Sequence, residues 1–330
     1  MSKVWFVTGS SRGLGRAFVE VALEAGDRVV ATARNPERLK DLLDTYGDRV
    51  LALRLDVTDY DAAVRAVAQA VERFGRIDVA VNSAGYSDLS SFEDTTIDSF
   101  RTQVDTNFYG VVNVSKAVVP ILREQGHGHL IQVSSLSARF AAPGLTAYQA
   151  AKWAVTGFSS GLAHELAPFG VKITVLEPGG MRTDWAGSSM TIPQPTAPYQ
   201  PTIGAFAELV RAASGHEATS ARRVAQVVRD IAGRDDAPPA PAARHRRRAL
   251  GAAGGTGTRR QRRGLARRQS QRLRRYAPYR RYAPGTSVLA GMQNNIPPGP
   301  PQGWPCGRRW SSAITLSGGG RRFDWIPCRA

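Results

Sequence analysis

A tyrosine and a lysine four residues apart are the first side chains in this sequence whose types and spacing suggest chemistry. Tyr148 and Lys152 lie in a segment with helical periodicity, so they share one face of a predicted helix. A free tyrosine has a pKa of about 10, too high for proton exchange near neutrality, and a neighbouring ammonium lowers that pKa. The pair therefore suits a general acid or base. An ordinary surface pair has the same spacing, so the assignment depends on the rest of the chain.

A glycine-rich loop near the N-terminus has the composition of a phosphate-binding site. It runs from Thr8 to Gly15 as TGSSRGLG, between a strand-like segment and a helix-like one. The first turn of a helix presents unpaired N–H groups and a positive dipole end, which favour a pyrophosphate. Gly9, Gly13 and Gly15 permit a sharp turn and a close approach of the backbone to the ligand. Glycine clusters alone occur in many turns, and it is the position between strand and helix that indicates a nucleotide.

Strand-like and helix-like segments alternate through residues 1–233. Short β-rich runs occupy residues 3–8, 28–33, 50–55, 78–81, 129–134 and 171–176, and helical spacing recurs in 14–25, 60–74, 110–123 and 148–167. This alternation predicts an α/β fold: a doubly wound parallel sheet with helices on both faces. Four prolines predict a loop at 188–202, and two short helices are predicted at 203–213 and 220–232.

Several motifs in this body resemble those of the short-chain dehydrogenase/reductase family. The glycine loop is followed by Asp56-Val57 after the third strand, Asn82-Ser83-Ala84-Gly85 after the fourth, Tyr148-x-x-x-Lys152, and Pro178-Gly179 after the sixth. Order and spacing match the family, with one departure: Ser83 stands where the family more often has a second asparagine. The resemblance implies a Rossmann-type domain over residues 1–233 and an NAD(P)-dependent oxidoreductase acting on CH–OH or C=O groups.

The resemblance implies a catalytic tetrad, in which Ser135 and Asn107 are added to Tyr148 and Lys152. Ser135 ends a strand 13 residues before Tyr148, and Asn107 lies upstream near the start of another predicted helix. Hydride transfer to a carbonyl leaves an alkoxide, which Tyr148 would protonate while Ser135 donates a hydrogen bond to the same oxygen. The interval selects Ser135 over Ser134. The resemblance further implies that Asn107 orders a water and that Lys152 holds the nicotinamide ribose.

The end of the second strand favours NADP(H) over NAD(H). Folds that bind NAD place a carboxylate there for the ribose 2′-hydroxyl, but this chain has Ala33 followed by Arg34. A guanidinium pairs with a 2′-phosphate, and Arg12 is a second candidate cation. A solvated Arg34 is the alternative, and NAD(H) stays open. The resemblance adds predicted cofactor contacts at Ser11, Leu14, Asp56, Val57, Asn82, Ala84, Gly85, Pro178, Gly179 and Thr183.

Loops beyond the carboxyl ends of the strands form the predicted substrate pocket. They carry Tyr86, Arg139, Phe140, Leu145, Met181 and Trp185. This apolar, partly aromatic lining suits a medium-sized ketone, aldehyde or secondary alcohol. The alternative is that several of these side chains pack the domain. The histidines form no ligand pattern, so no metal is predicted.

Charge separates a neutral body from a cationic C-terminal segment. The formal net charge is +17, and residues 234–330 contain 21 arginines, no lysine and three acidic residues, which leaves residues 1–233 at −1. The segment also has 11 prolines and no sustained apolar face, which predicts disorder. Clustered arginines bind phosphates non-specifically, so a nucleic-acid-binding protein is the alternative function. An inactive scaffold is a third hypothesis, against which the intact tetrad argues.

The composition of residues 234–330 also suggests a frameshift near residues 235–239. Arginine, proline and glycine are abundant and glutamate is absent, as in a GC-rich gene read in another frame, and family members usually place a seventh strand here. A genuine cationic tail is the alternative. The chain shows no signal-peptide pattern or membrane-spanning run, and both cysteines lie in this segment. A cytoplasmic enzyme is therefore expected, and either a monomer or a homo-oligomer is compatible with the sequence.

Overall fold

A seven-stranded sheet forms the centre of the protein. The computed structural model describes residues 2–183 and 190–233, together with the backbone of one strand at 315–317. Within the described residues the strands are β1 Val4–Val7, β2 Arg28–Ala33, β3 Val50–Arg54, β4 Val79–Asn82, β5 Ser87–Asp88, β6 Gly128–Val133, β7 Val171–Glu177, β8 Met181–Arg182, β9 Met190–Thr191, β10 Thr219–Ser220 and β11 Thr315–Ser317. The sheet has the order β11-β7-β6-β4-β1-β2-β3, and its strands are parallel except that β11 runs antiparallel to β7.

Helices cover both faces of this sheet. In the described part of the chain they are α1 Gly13–Glu24, α2 Lys40–Tyr46, α3 Tyr60–Phe74, α4 Ile97–Val104, α5 Gly110–Gln125, α6 Thr146–Leu166, α7 Ala205–Ala213 and α8 Ala221–Ala232. The predicted doubly wound α/β fold is thereby confirmed. The strand order reverses between β1 and β4, and in open sheets of this kind ligands bind beyond the carboxyl ends of the strands at that point.

Side chains of β1 show why its sequence is apolar without interruption. Trp5 and Val7 belong to the core that includes α1 and α8, whereas Val4 and Phe6 belong to the core that includes α3 and α5. Successive side chains of a strand point to opposite faces, and here both faces are covered. All four residues are at most 1% exposed. The two cores hold the carboxyl ends of the strands in fixed positions.

A third, smaller apolar cluster lies among the segments that follow β4, β6 and β7. Its buried members are Leu89, Leu145, Met190, Ile203, Phe206 and Ala207. β9 pairs with β5 in this region, and the Asp94 carboxylate accepts hydrogen bonds from the N–H and Oγ1 of Thr196 at 3.2 and 3.3 Å. The predicted loop at 188–202 is thus corrected in part, since its described residues contain β9 and the start of a π-helical turn at Gln200–Gly204. Pairing with β5 is a distant contact that the local proline pattern does not reveal.

Two short helices, α2 and α4, are not predicted by the sequence pattern. α2 buries only Leu42 and α4 buries only Gln103, so neither presents the repeating apolar face from which a helix is recognised. α4 begins instead with a cap, in which the Oγ1 of Thr96 accepts the N–H of Ser99 at 3.1 Å.

Most of the cationic segment lies outside the described residues, so its disorder and the frameshift stay predictions. β11 is the exception, since its backbone pairs with residues Val175, Leu176 and Glu177 of β7. A strand of three residues is too short for a period to be counted in the sequence. β7 is therefore flanked on both sides, by β6 and by β11. No helix among the described residues is long and apolar enough to cross a membrane.

Candidate active site

A buried threonine joins the end of β1 to the loop after β4. Thr8 is 1% exposed, and its Oγ1 accepts hydrogen bonds from the N–H groups of Ser83 and Ala84 at 3.0 and 3.1 Å. Gly9 follows with a φ of +69°, and a Cβ on it would lie 2.8 Å from the Cα of Ala84. Glycine alone suits both the left-handed backbone and the close approach. The structure thus brings the glycine loop and the Asn82–Gly85 motif into contact.

The first turn of α1 lies against a cradle made of backbone. Gly13 begins the helix with a φ of +58°, and a Cβ on Gly15 would overlap the carbonyl oxygen of Gly9. A pyrophosphate requires such an approach to free N–H groups at a helix N-terminus, so the residues present fit a dinucleotide. Of the other predicted contacts in the loop, Ser11 and Arg12 are half-buried and Leu14 packs into the core.

The exposed ends of β2 and β3 form the predicted adenosine side of the site. Arg34 is exposed directly after the buried Ala33. Burial and the Asp88 carboxylate raise the pKa of the Tyr86 phenol, and Arg34 opposes this shift, so the guanidinium lies close enough to act on that ring. Asp56 is also exposed, and its Oδ1 accepts the N–H and the hydroxyl of Thr58 at 3.0 and 2.8 Å. Val57, beside it, is buried.

Asn82 ends β4 with its amide directed into the protein. Its Nδ2 donates to the Oγ of Ser115 at 3.1 Å and to the Oε1 of Gln132 at 2.8 Å, and the Nε2 of Gln132 donates to the same Oγ at 2.9 Å. These three side chains are at most 2% exposed. The side chain therefore links β4 to β6 and α5, and of the predicted contacts in this motif it is Ala84 and Gly85 that extend toward the surface.

A π-helical turn at Asp105–Tyr109 holds Asn107 between α4 and α5. Asn107 is fully buried, and its Nδ2 donates to the carbonyl oxygens of Tyr86 and Gln103, both at 2.8 Å. A Cβ on Gly85 would lie 2.6 Å from the Oδ1 of Asn107 and 3.6 Å from the Nζ of Lys152. Both side chains thus converge on Gly85. Asn107 lies in an irregular turn rather than in the first turn of a helix, and such π-bulges are frequent at functional sites.

Tyr148 is the third residue of α6 and is buried beside Ser135. It is 7% exposed, and its side chain is hydrogen-bonded to that of Ser135. Burial raises the pKa of Tyr148 to about 12, and the hydrogen bond with Ser135 opposes this shift. The phenol therefore carries its proton at neutral pH, as a proton donor must.

Lys152 follows one turn later on the same helix. Its Nζ lies 5.6 Å from the centre of the Tyr148 ring and donates to the carbonyl oxygen of Val133 at 2.9 Å. Burial lowers the pKa of Lys152 to about 8. Burial dominates the pKa of Tyr148 here, so the lowering of that pKa by Lys152 stays a prediction.

Neighbouring serines at the end of β6 have different contacts. The Oγ of Ser134 donates to the carbonyl oxygen of Lys152 at 3.0 Å and lies 3.0 Å from the Oγ1 of Thr156. The Oγ of Ser135 accepts the N–H of Ser137 at 3.1 Å and meets Tyr148. The structure therefore favours Ser135 for contact with the tyrosine, as the interval of 13 residues predicts.

The segment after β7 returns toward the glycine loop. Pro178 is buried, and its carbonyl oxygen accepts the N–H of Leu136 at 2.9 Å. β8 then pairs with β10, and Thr183 lies 3.9 Å from the position of a Cβ on Gly13. The structure thus brings Thr183 near the first turn of α1, and Gly179 connects the two regions.

The predicted substrate residues do not form one lining. Tyr86 is half-buried, Phe140 is 59% exposed, and Leu145 is 4% exposed within the small third cluster. Met181 packs against the core of α1, and Trp185 lies outside the described residues. Leu145 and Met181 therefore pack the domain, which is the alternative weighed from the sequence. Arg139 is bound to Glu177 through its Nε at 2.9 Å.

Several buried or half-buried polar residues around the site were not singled out from the sequence. They are Ser115, Gln132, Thr156 and Glu177. Gln132 and Glu177 are polar residues within or at the end of apolar strands, and this interruption was the available signal. Ser115 and Thr156 occur in helical segments where such residues are common. The described residues contain no cluster of three potential metal ligands.

Lys152→Met is expected to change how stability depends on pH. The pKa of Lys152 falls from 10.5 to about 8 on folding, so the unfolded chain binds more protons between these values and the parent gains stability as the pH rises through that window. The gain, about 3 kcal/mol in total, is absent in the variant. Urea unfolding at pH 7.5, 9 and 10 measures it.

Lys116→Met, on the exposed face of α5, is the matched control and should keep the slope of the parent. Parallel curves for the parent and Lys152→Met would show that the ammonium is not held in the desolvated position that the structure gives it.

Comparisons with known proteins agree with this arrangement. The profile of the short chain dehydrogenase family matches residues 3–191. Oxidoreductase BOA17 of Botryotinia fuckeliana is 56% identical over 239 residues, which cover 72% of this chain and 87% of that protein. A short-chain dehydrogenase from Streptomyces avermitilis is 36% identical with a TM-score of 0.67, covering 72% of this chain and 86% of its own. An alcohol dehydrogenase from the archaeon Thermococcus sibiricus, complexed with 5-hydroxy-NADP, is 25% identical with a TM-score of 0.59, covering 72% and 93%.

The fold and the site together define a dinucleotide-binding oxidoreductase. A doubly wound sheet carries the glycine cradle at its strand reversal, and the buried Tyr148 lies beyond the end of β6. The chain belongs to the short-chain dehydrogenase family, and it is an NAD(P)-dependent dehydrogenase or reductase.

Proposed function

We propose that the protein transfers a hydride between NADP(H) and the carbonyl or secondary alcohol of a medium-sized apolar substrate. The observation that carries the proposal is the buried tyrosine: Tyr148 is hydrogen-bonded to Ser135 and followed one turn later by Lys152. The glycine cradle at the start of α1 supports binding of the dinucleotide in the same region.

Each residue of the tetrad then has a defined task, and Lys152 has two. The nicotinamide, when bound, supplies or accepts the hydride. Ser135 donates a hydrogen bond to the substrate oxygen, and Tyr148 transfers a proton to that oxygen or removes one from it. Lys152 would hold the nicotinamide ribose and stabilise the phenolate after proton transfer. Asn107, fixed by the carbonyl oxygens of Tyr86 and Gln103, would order a water near Lys152.

The dinucleotide would lie along the glycine loop with its adenosine end at β2 and β3. Gly9, Gly13, Gly15 and the first turn of α1 would hold the pyrophosphate. Ala84, Gly85, Pro178, Gly179 and Thr183 would flank the nicotinamide half, and Asp56 and Val57 the adenine. Asn82 would support the cofactor site indirectly, because its side chain anchors the end of β4 to Ser115 and Gln132.

NADP(H) rather than NAD(H) is supported by the charge at the end of β2. Arg34 is exposed there, no carboxylate takes the place of Ala33, and Arg12 lies in the adjacent loop. The archaeal relative of similar fold was solved with 5-hydroxy-NADP. A guanidinium binds a 2′-phosphate in a charge-assisted manner, which a ribose hydroxyl cannot match.

The substrate side would be formed by Tyr86 and Phe140, with Trp185 as a further proposed member. Leu145 and Met181 would support the substrate pocket through their packing in the neighbouring apolar clusters. A homo-oligomer is also part of the proposal, since Ile97, Tyr109 and Trp153 are each more than half exposed.

A panel of ketones and aldehydes with NADPH, and of secondary alcohols with NADP, tests the proposed function by absorbance at the nicotinamide band. Turnover of apolar carbonyls supports it. Binding of NADPH without turnover of any member of a broad panel would contradict it.

Arg34→Asp is expected to shift cofactor preference from NADPH toward NADH by about 10- to 100-fold, the worth of a charge-assisted hydrogen bond. The substitution removes a phosphate partner and introduces an acceptor for the ribose hydroxyl. The ratio of kcat/KM for the two cofactors measures the shift.

Arg123→Asp makes the same change of charge at the last turn of α5, beyond the opposite end of the sheet, and should leave the ratio unchanged. A parent enzyme that already prefers NADH would contradict the assignment of Arg34.

A further inference from the structure

A buried carboxylate near the active site has no part in the proposed chemistry. Glu177 is the last residue of β7, is 0% exposed, and directly precedes Pro178-Gly179. An anion removed from water is costly unless a cation and hydrogen bonds compensate it. The contacts of Glu177 therefore indicate what its charge is used for.

Arg139 compensates this charge from a different loop. Its Nε lies 2.9 and 3.0 Å from the two carboxylate oxygens of Glu177, and its side chain is 41% exposed. Arg139 belongs to the segment that leaves β6 at Ser135, whereas Glu177 ends β7. The ion pair thus joins the ends of two neighbouring strands, each of which leads into a part of the proposed site.

Hydrogen bonds continue from the ion pair to the catalytic helix. The Oγ1 of Thr156 lies 3.4 Å from the Oε1 of Glu177 and 3.2 Å from the carbonyl oxygen of Lys152. Ser134, directly before Ser135, contacts both Thr156 and that carbonyl oxygen. β6, β7 and α6 are therefore tied together at the level of the tetrad.

A backbone contact lies beside the pair. The N–H of Leu136 donates to the carbonyl oxygen of Pro178 at 2.9 Å, so the residue after Ser135 is bonded to the residue after Glu177. A displacement of either loop end would change the position of the Ser135 hydroxyl relative to Tyr148.

We propose that Arg139 and Glu177 are a positioning pair that holds Ser135 and the Pro178-Gly179 segment in register. The inference rests on the proposed function, because the pair maintains the position of Ser135 relative to Tyr148 that this function requires. Neither side chain needs to touch the substrate. Arg139, considered from the sequence as a pocket residue, acts through Glu177 instead.

The burial of the two partners differs, and this makes the pair testable. Loss of Arg139 leaves Glu177 as an uncompensated charge with no access to water, whereas loss of the Glu177 charge leaves an arginine that water can solvate. Arg139→Met should therefore be the more damaging substitution. Adding Glu177→Gln to it should restore part of the loss, because the amide no longer carries the buried charge.

The test measures kcat and KM, per folded enzyme, for Arg139→Met, Glu177→Gln and the double variant. We expect Arg139→Met to lower kcat by about 100-fold, the effect of displacing a catalytic group by roughly 1 Å, with little change in the KM of the carbonyl. The double variant should recover to within about tenfold of the parent. Amide exchange at Leu136 should become faster in Arg139→Met and slow again in the double variant.

Arg222→Met is the matched control, since Arg222 pairs with Glu24 through two hydrogen bonds of 2.8 and 2.6 Å between α8 and α1. It should leave kcat and the exchange of Leu136 unchanged. A parental kcat in Arg139→Met would overturn the proposal. So would a double variant whose kcat is no higher than that of Arg139→Met.

Two further outcomes have defined meanings. If Arg139→Met does not fold, Arg139→Lys replaces it: the charge remains but the guanidinium is lost, so a lowered kcat supports the pair and a parental kcat overturns it. If the parent turns over no carbonyl or alcohol, the proposed function fails on its own, and exchange at Leu136 still decides whether the pair holds the loop.

Discussion

Tyr148→Phe is expected to lower kcat by about 10²- to 10⁴-fold, the usual contribution of a general acid or base, while NADPH binds as it does to the parent. The substitution removes one oxygen and leaves the ring in its buried position at 7% exposure. Burial raises the pKa of Tyr148 to about 12, so the phenol of the parent carries the proton that the reaction transfers. The variant loses the hydrogen bond between Tyr148 and Ser135, so a loss of stability of about 1 kcal/mol is expected.

The measurement combines steady-state turnover with a fluorescence titration of NADPH. Tyr60→Phe removes the same oxygen from a partly exposed ring at the start of α3 and should change neither quantity. Comparable turnover in Tyr148→Phe and the parent would refute the role of the tyrosine. Loss of NADPH binding would assign it to the cofactor site instead.

Gly15→Ala is expected to raise the Kd of NADPH by about 100-fold, because the added methyl group has no space. It would overlap the carbonyl oxygen of Gly9, and backbone cannot yield as the tip of a long side chain does. To admit it, the glycine loop must move away from α1, which removes the approach of backbone N–H groups to the pyrophosphate.

Gly157→Ala is the matched control, since Gly157 lies in α6 with nothing within 4 Å of the position of a Cβ. Alanine is better than glycine inside a helix by about 0.5–1 kcal/mol, so this variant should be slightly more stable and bind NADPH normally. Isothermal titration compares the two variants. Parental affinity in Gly15→Ala would show that the cradle is not where the pyrophosphate binds.

The arrangement of strands was predictable because its signals are local. Each of the six strands predicted before Pro178 has a counterpart in the sheet, since short, predominantly apolar and β-branched runs stand out against the helices between them. α2 and α4 were missed for the opposite reason, because a helix that buries one residue leaves no periodic trace. β5, β9 and β11 exist through pairing with segments distant in sequence, and no local pattern specifies such a partner.

The motifs of the site were predictable for a related reason. A glycine with positive φ, or one against which another backbone lies, is required whatever surrounds it, so Gly9 and Gly15 are visible in the sequence. The spacing of Tyr148 and Lys152 on one helix and the interval to Ser135 are likewise properties of the chain alone.

The sequence by itself therefore determined the family and the doubly wound fold, and it predicted the residues of the candidate site. The tertiary structure decided the direction in which these pKa values shift, because desolvation depends on everything packed around Tyr148 and Lys152: it raises the pKa of Tyr148 and lowers that of Lys152. It also decided which side chains are free to meet a substrate. Leu145 packs in an apolar cluster. Arg139 forms an ion pair with Glu177, because a buried carboxylate requires a compensating cation.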